Sequence, residues 1–319
     1  MAFRSYRPRL RPSGLWRGRL LRPTTRLRPF GATAWQANDH LMKIAYQGEP
    51  GAFSEAASWQ VNPAAELVPC KAFEDVFAAV DNGTVDYGVL PIENSIGGSI
   101  HRNFDLLLQH QLPIVGETEV PVVHHLLALP GQSLGDIRRV YSHPQALAQC
   151  ERFLRSLTDV EVIASYDTAG SAKMIADQQM ANAAAIASAR AGEVNGLVAL
   201  RSAIQDNDTN TTRFLVIGRQ PLSDAPADKT TVVFTLANEP GALFKALAAI
   251  ALRGISLTKL ESRPNPGRKW EYLFYVDLAA ARDDLACARA LAHLGEFAPM
   301  LRVLGSYPSS KPASQAAAS

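Results

Sequence analysis

The stretch from Val85 to Ile92 (VDYGVLPI), followed by Glu93, Asn94 and Ser95, decides the fold class of this chain. Its near-continuous apolar character predicts a strand that is buried on both faces, as in parallel sheets. From residue 43 to residue 108, short apolar runs alternate with amphipathic stretches. This alternation predicts an α/β fold, with a parallel or mixed sheet and helices on both of its faces.

The same pattern stops and then starts again further along the chain. Residues 113–129 form a long extended stretch, which predicts a crossing between two lobes. Pro144 suits the first position of a helix, and apolar residues at helical spacing predict that this helix continues to Leu157. Two α/β lobes joined by extended crossings predict a ligand cleft between them. We assign both lobes to one part of the chain, residues 42–219.

A different order of elements follows the first two lobes. Residues 220–228, which carry Pro221 and Pro226, are interpreted as a linker. Residues 229–309 show the order strand, helix, strand, strand, helix, strand. This order predicts a small ferredoxin-like βαββαβ domain.

Composition restricts the class of protein. The chain has 319 residues, 47% hydrophobic and 19% charged, which fits a folded chain of two domains. Nine arginines and no acids lie in residues 1–38, so the remainder has 23 basic and 30 acidic side chains. This acidic part lacks the basic footprint of a nucleic-acid-binding protein. No apolar run reaches the 18 or so residues of a membrane helix, and three widely spaced cysteines indicate a reducing compartment.

The arginine-rich residues 1–41 leave three interpretations open. They resemble an organellar transit peptide, which is rich in arginine and poor in acids. They also fit an unstructured extension without a role, or a start assigned too early, because Met42 directly precedes the first predicted strand. The main expectation is a bacterial-type cytoplasmic protein, and the alternative is the plastid stroma. Residues 310–319 are expected to be a disordered tail.

Three polar clusters lie where predicted strands and helices meet. Residues 93–95 (ENS) follow the buried strand, at the edge where ligand-binding groups of open α/β sheets collect. Residues 142–145 (SHPQ) precede a helix N-terminus, which favours anions, and residues 210–214 (NTTRF) precede a returning strand. Together they predict a cleft for a small carboxylate-bearing ligand that needs a proton donor. The pair His124 and His125 is interpreted as structural and not as a metal site, because adjacent strand residues point to opposite faces.

The chain also carries a series of ordered motifs. They are YQG (46–48) with GAFS (51–54), PIENS (91–95), SHPQALAQC (142–150), DTAG (167–170), TRF (212–214) and ESRP (261–264). With these motifs, residues 43 to about 308 resemble the prephenate dehydratase family, of which arogenate dehydratases are close variants. The resemblance implies a two-lobed catalytic part like a type II periplasmic binding protein and a C-terminal ACT regulatory domain. It also implies that prephenate is converted to phenylpyruvate, or arogenate to phenylalanine, without a metal or organic cofactor.

The resemblance further implies roles for individual residues of this sequence. Thr212 would be the proton donor, or the hydroxyl that positions the donor. Arg213 would clamp a substrate carboxylate or would instead point away into a structural ion pair. The other residues that would bind substrate are Glu93, Asn94, Ser95, Ser142, Gln145 and Thr168.

In the ACT domain, the resemblance implies a phenylalanine site at a subunit interface of a homodimer or homotetramer. Its residues would be Gly241, Ala242, Leu243, Glu261, Ser262 and Arg263. Two rival interpretations belong to other classes of protein. One is a non-catalytic protein that binds small carboxylates, and the other is an amino-acid sensor with a degenerate catalytic part.

Overall fold

The computed structural model describes residues 41–266 and 268–310. The interpretations of residues 1–40 and 311–319 given above lie outside the described residues. The first lobe alternates strands and helices. Its elements are β1 (Lys43–Gln47), α1 (Phe53–Val61), β2 (Glu66–Cys70), α2 (Phe73–Asp81), β3 (Tyr87–Asn94), β4 (Gly98–Ser99), α3 (His101–Gln109) and β5 (Ile114–Pro121).

Alternate residues of the central strands pack against helices on opposite faces of the sheet. Ile44 and Val89 lie with Ala57 of α1, whereas Ala45 and Leu90 belong to the core that α2 completes. Strand β3 runs parallel to β1 and is buried almost throughout. The prediction of a strand buried on both faces is therefore confirmed.

The second lobe is built around a separate sheet of smaller strands. Its elements are β6 (His125–Ala128), β7 (Arg139–Ser142), α4 (Pro144–Gln149), α5 (Glu151–Arg155), β8 (Glu161–Ala164), α6 (Thr168–Asp177), β9 (Ala183–Ala187), α7 (Ala189–Val194) and β10 (Val198–Arg201). The strand order is β10-β6-β9-β7-β8. The central strand β9 has the sequence AAAIA and is completely buried, so its small side chains let helices on both sides approach closely.

The continuous helix predicted to reach Leu157 is wrong, because the helix breaks at Cys150. The backbone there has φ −119° and ψ 25°, which separates α4 from α5. Asp206, in the loop after β10, donates its N–H to the carbonyl oxygen of Gln149 at 2.7 Å. Its carboxylate accepts the N–H of Arg152 at 3.2 Å. A loop that is distant in sequence thus forms hydrogen bonds with the backbone on both sides of the break. The spacing of hydrophobic residues does not predict such hydrogen bonds.

Strand β11 (Thr211–Gly218) returns the chain to the first lobe. It lies between β3 and β5 and is antiparallel to both. The crossing predicted for residues 113–129 is β5 in the first sheet followed by β6 in the second. Two extended connections therefore join the lobes.

The C-terminal part follows the predicted order. Its elements are β12 (Lys229–Thr235), α8 (Ala242–Ala251), β13 (Leu257–Pro264), β14 (Tyr272–Leu278), α9 (Leu285–Phe297) and β15 (Met300–Tyr307). The strand order β13-β14-β12-β15 and two helices that share one core make this a ferredoxin-like βαββαβ domain. The predicted α/β architecture, with two lobes and a C-terminal βαββαβ domain, is confirmed.

The C-terminal domain extends the sheet of the first lobe. Gly305 of β15 pairs with Ile114 of β5, and a Cβ atom at Gly305 would lie 2.1 Å from the Ile114 carbonyl oxygen. Only glycine fits such a close approach of two backbones. On the same side, the hydroxyl of Tyr275 donates to the carbonyl oxygen of Phe104 at 3.0 Å. Across residues 41–266 and 268–310, no helix has the length and apolar character needed to cross a membrane.

Candidate active site

A cavity of about 200 Å³ lies between the two lobes of the catalytic part. Four residues predicted to form the site, Asn94, Gln145, Thr168 and Thr212, lie in its wall. The wall consists of Gln47, Ala52, Phe53, Ser54, Pro91, Asn94, Ile100, Val122, His124, His143, Gln145, Ala146, Gln149, Asp167, Thr168, Thr212 and Phe214. Elements from both lobes therefore contribute groups to one site.

Strand pairing places Thr212 next to Asn94. The structure extends β3 through Asn94 and starts β11 at Thr211, so both polar segments are strand residues and not loops after a strand. In the antiparallel register, Thr212 is opposite Asn94 and Arg213 is opposite Glu93. Because successive side chains of a strand point to opposite faces, the first pair faces the cavity and the second pair faces away.

The side-chain amide of Asn94 fixes the orientation of the Thr212 hydroxyl. Its Oδ1 accepts the N–H groups of Ile96 (3.1 Å) and Gly97 (2.7 Å), which settles which end of the amide donates. Its Nδ2 then donates to Thr212 Oγ1 at 2.9 Å and to Asn210 Oδ1 at 2.7 Å. Since Thr212 Oγ1 accepts this bond and its own hydrogen has no acceptor within the described residues, that hydrogen is available to a ligand in the cavity.

The network continues into the second lobe through residues that the sequence analysis did not assign to the site. Asn210 Nδ2 donates to Gln149 Oε1 at 3.0 Å, and that oxygen also lies 2.9 Å from His124 Nε2. Burial lowers the pKa of His124, so its ring is neutral, with the hydrogen on Nε2. Its Nδ1 is buried without a partner in the described part of the chain. From the sequence, His124 is interpreted as structural and is not assigned to the site; in the structure it offers a hydrogen-bond acceptor in the cavity wall.

Four helices begin at the cavity. Their N-cap residues in its wall are Ala52 of α1, Ile100 of α3, His143 of α4 and Asp167 of α6. Helix N-termini carry partial positive charge and unpaired N–H groups. Those of Phe53 and Ser54, in the first turn of α1, have no acceptor among the described residues. The described wall has no lysine or arginine, so helix ends supply the positive potential for an anionic ligand.

The predicted carboxylate clamp, Arg213, is not in the cavity. Its guanidinium donates to Asp277 of the C-terminal domain at 2.7 Å and to Glu117 at 3.2 Å, and lies 3.4 Å from Glu93. Burial alone would lower the pKa of Arg213, but Asp277 and Glu117 raise it above its ordinary value. Glu93 also pairs with Lys259 of β13 at 3.0 Å. Both Arg213 and Glu93 therefore form ion pairs on the reverse face, which corrects their assignment to substrate binding.

The remaining residues predicted to bind substrate occupy different positions. Ser142 is fully buried and donates to the carbonyl oxygen of Ile186 at 2.6 Å, inside the second lobe. Ser95 lies outside the cavity wall, and its hydroxyl forms hydrogen bonds with the backbone of residues 209 and 211. Gln145 reaches across the cleft, since a Cβ atom at Gly97 would lie 1.7 Å from its Nε2. Ser142 and Ser95 thus support the site, whereas Gln145 belongs to its wall.

The residues predicted for the effector site divide into two groups. Gly241, with φ +81°, caps α8, and Ala242 and Leu243 line a cavity of about 150 Å³ at that helix end. Glu261 accepts from Ser99 Oγ at 2.7 Å and Arg263 pairs with Asp105 at 2.9 Å, so both turn towards the catalytic part. Ser262, between them, is exposed on the other face. A single copy of the chain does not bring these six residues together.

Comparisons with known proteins agree with this architecture. The family model "Prephenate dehydratase" matches residues 44–222, and the model "ACT domain" matches residues 230–294. A relative named arogenate dehydratase/prephenate dehydratase 2, chloroplastic, from Arabidopsis thaliana is 50% identical over 283 residues, covering 85% of this chain and 74% of its own.

Two solved structures are similar over most of their length. One is a prephenate dehydratase from Arthrobacter aurescens in complex with L-Phe, with a TM-score of 0.77 and 35% identity, covering 85% of this chain and 92% of that one. The other, described as a novel type of quorum quenching acylase, has a TM-score of 0.76 and 38% identity, covering 84% and 98%. The chain therefore belongs to the prephenate dehydratase family and carries that family's catalytic region followed by an ACT domain.

Proposed function

We propose that this protein catalyses the decarboxylative dehydration of prephenate to phenylpyruvate, carbon dioxide and water. The observation that carries the proposal is the Thr212 hydroxyl, which is held by Asn94 so that its hydrogen is directed away from the amide. It lies in a cavity ringed by helix N-termini. A dianionic substrate with a poor leaving group needs these two features: positive potential at its carboxylates, and a hydrogen-bond donor at the departing oxygen.

The reaction breaks two bonds on opposite carbons of the ring. The bond to the ring carboxylate breaks, carbon dioxide departs, and its electron pair enters the ring. The bond between C4 and its hydroxyl oxygen breaks, and that oxygen leaves as water with one added proton, which comes from the solvent. Thr212 donates a hydrogen bond to the departing oxygen, and a fixed donor aimed at developing charge stabilises the transition state.

The substrate carboxylates would be held by the helix ends and by neighbouring amides and hydroxyls. Phe53 and Ser54 offer backbone N–H groups at the start of α1, and Thr168 offers its hydroxyl at the start of α6. Gln145 and Gln149 add side-chain amides from the second lobe. Such positioning brings the reacting bonds into a productive geometry before any chemical step.

Arogenate is a second candidate substrate. It differs from prephenate in a side-chain amino group in place of a keto group, and its product would be phenylalanine. The observation that favours it is the naming of relatives: an arogenate dehydratase 2 from Petunia hybrida is 50% identical over 285 residues and covers 84% of this chain. The polar network at Thr212 serves either substrate, since both lose the same hydroxyl.

Phenylalanine is the proposed effector, bound at the ACT domain. The proposal is supported by the cavity beside Ala242 and Leu243 and by the L-Phe complex of the Arthrobacter aurescens relative. Phe244, Leu252 and Leu285 expose 77%, 83% and 65% of their surface on the two ACT helices. Exposed apolar side chains grouped in one domain favour self-association, so we propose a homodimer or homotetramer.

For location, the plastid stroma is the proposal with support, because several relatives are named chloroplastic. The cytoplasmic location expected first has no comparable support. A fusion of residues 1–41 to a fluorescent protein, followed in isolated chloroplasts, tests it. Import with cleavage would support a plastid enzyme, and exclusion would favour the cytoplasm.

Steady-state kinetics with both substrates, with and without phenylalanine, test the proposed function. We expect turnover of prephenate, followed by the ultraviolet absorbance of phenylpyruvate, and a change of rate and an increase in Tm with phenylalanine. An effector that binds only the folded state stabilises it by about 2.7 kcal/mol at a hundredfold excess over Kd. Absence of turnover with both substrates would refute the proposal and leave a binding or sensing role.

A further inference from the structure

A single acidic side chain, Asp167, lies in the described wall of the cavity. It stands out because the proposed substrates are anions and the surrounding wall is neutral apart from the helix ends. The carboxylate would repel a ligand that offers it only negative or electron-rich groups. A ligand that carries a positive group would instead be attracted to it.

The carboxylate of Asp167 forms only a few hydrogen bonds with its own chain. As the N-cap of α6 it accepts the N–H of Gly170 at 3.3 Å, and the Thr168 hydroxyl lies 3.5 Å away. An ionised carboxylate offers about four acceptor positions, so these two long contacts leave capacity for a stronger donor. Lys173, nearly two turns further along α6, pairs with Glu49 at 3.4 Å. Within the described residues, Asp167 itself has no cationic partner.

The position of Asp167 suits the end of the substrate opposite to the leaving hydroxyl. One of its carboxylate oxygens lies 3.9 Å from the Cβ position of Gly48, directly after β1. Thr212 is on β11, and β3 separates β11 from β1, so these two strands lie about 10 Å apart at about 4.8 Å per strand.

The size of arogenate fits that separation. Its leaving oxygen and its side-chain nitrogen lie at opposite ends, roughly 7 Å apart at about 1.5 Å per bond. One hydrogen bond of about 2.9 Å at each end extends the reach to roughly 13 Å. Arogenate bound with its hydroxyl at Thr212 is therefore long enough for its ammonium group to reach Asp167.

We propose that Asp167 is a specificity-determining residue, whose carboxylate binds the ammonium group of arogenate and thereby favours arogenate over prephenate. This inference rests on the proposed function and deepens it. An ammonium group donates charge-assisted hydrogen bonds to a carboxylate, whereas the keto oxygen of prephenate presents only lone pairs to it. The ring, both carboxylates and the hydroxyl are common to the two substrates, so contacts to those groups do not distinguish arogenate from prephenate.

The test is the ratio of kcat/KM for arogenate to kcat/KM for prephenate, measured with both substrates in one mixture. Asp167→Asn removes the charge and keeps an N-cap of equal quality, and Asp167→Ser is a second variant that also caps the helix. We expect the ratio to fall about ten- to hundredfold in both, in keeping with the loss of a hydrogen bond to a charged group. Because both rates come from the same molecules, the fraction of folded protein cancels.

Glu49→Gln is the matched control. It removes a carboxylate from the same region, but Glu49 is outside the cavity wall and pairs with Lys173, so the ratio should change by less than threefold. The inference would be overturned by an unchanged ratio in the two Asp167 variants, or by an equal change of the ratio in Glu49→Gln. It would also be overturned by a wild-type enzyme that turns over prephenate but not arogenate. If the wild type turns over only arogenate, the measured quantity is kcat/KM for arogenate, and a decrease of less than threefold in Asp167→Asn would overturn the inference. Absence of turnover by the wild type refutes the proposed function instead.

Discussion

Replacing Thr212 by valine tests the catalytic assignment most directly. Valine has nearly the shape of threonine and lacks the hydroxyl, so the hydrogen bond to the departing oxygen is lost. The fold should tolerate the change, because Asn94 Nδ2 keeps its two other acceptors, Asn210 Oδ1 at 2.7 Å and the carbonyl oxygen of Thr211 at 3.3 Å. No buried donor is left without a partner, so the free energy of unfolding should fall by only about 1 kcal/mol.

The effect on the rate should be much larger than the effect on stability. Removal of one donor aimed at developing charge costs about 10²- to 10³-fold in kcat, or about 2.7 to 4 kcal/mol of transition-state stabilisation. If the bond forms mainly in the transition state, kcat and kcat/KM fall together and KM stays nearly constant. Stopped-flow or steady-state absorbance at saturating prephenate and arogenate measures this.

Thr212→Ser is the control, because it keeps the hydroxyl and should retain far more activity than the valine variant. Asn94→Ala should lower kcat as well, because the Thr212 hydroxyl loses the amide that fixes its orientation and is then free to rotate. The reasoning is refuted if folded Thr212→Val turns over both substrates at rates close to those of the wild type. It is also refuted if KM rises while kcat is unchanged, because the hydroxyl would then bind the ground state only.

Three further predictions concern stability. Asp277→Asn removes one charge from the buried ion-pair group on the reverse face, so urea denaturation should show the free energy of unfolding fall by about 3–5 kcal/mol; a fall below about 1 kcal/mol, far under that range, would contradict the account. Gly305→Ala should lower Tm strongly, because its Cβ would lie 2.1 Å from the Ile114 carbonyl oxygen, whereas Gly295→Ala in α9, with its nearest neighbour at 3.9 Å, should be neutral or raise Tm. Burial lowers the pKa of His124, so the unfolded state binds the proton first as pH falls below about 6.5, and the free energy of unfolding decreases. Between pH 7 and pH 5, Tm should therefore decrease less in His124→Gln than in the wild type. Equal slopes of Tm against pH would contradict the assignment.

Most of the fold follows from local patterns. The apolar run of β3 and the βαββαβ order of the C-terminal domain specify their elements directly, because burial on two faces and element order leave few alternatives. The break at Cys150 could not be predicted, since it depends on Asp206, more than fifty residues away in sequence. Helical periodicity describes which face is buried but not which peptide groups a distant loop will occupy.

The site was predictable only in part for a related reason. The motif around Thr212 identified the correct segment, but the extent of the strand decided which of two adjacent residues faces the cavity. Arg213 and Glu93 differ from Thr212 and Asn94 by a single position, and that position reverses the direction of the side chain. Strand alternation, applied once the strand is extended through residues 93–94 and 211–213, is the signal that separates them. Gln149 and His124 carried no such local signal, because hydrogen bonds between lobes bring them together.

The pairing of Thr212 with Asn94 on one face and of Arg213 with Glu93 on the other has a consequence for communication through the molecule. The ACT domain contacts the reverse face through Asp277 and Lys259, so only the thickness of one strand layer separates these ion pairs from the Thr212 hydroxyl. No relay of intermediate side chains is needed, since any shift of those ion pairs moves the same two peptide segments that carry the catalytic groups. By thermodynamic reciprocity, a substrate that tightens the strand pair must alter the affinity for the effector by the same factor. Binding of substrate in the cleft would then be detectable as a change at the surface of the ACT domain.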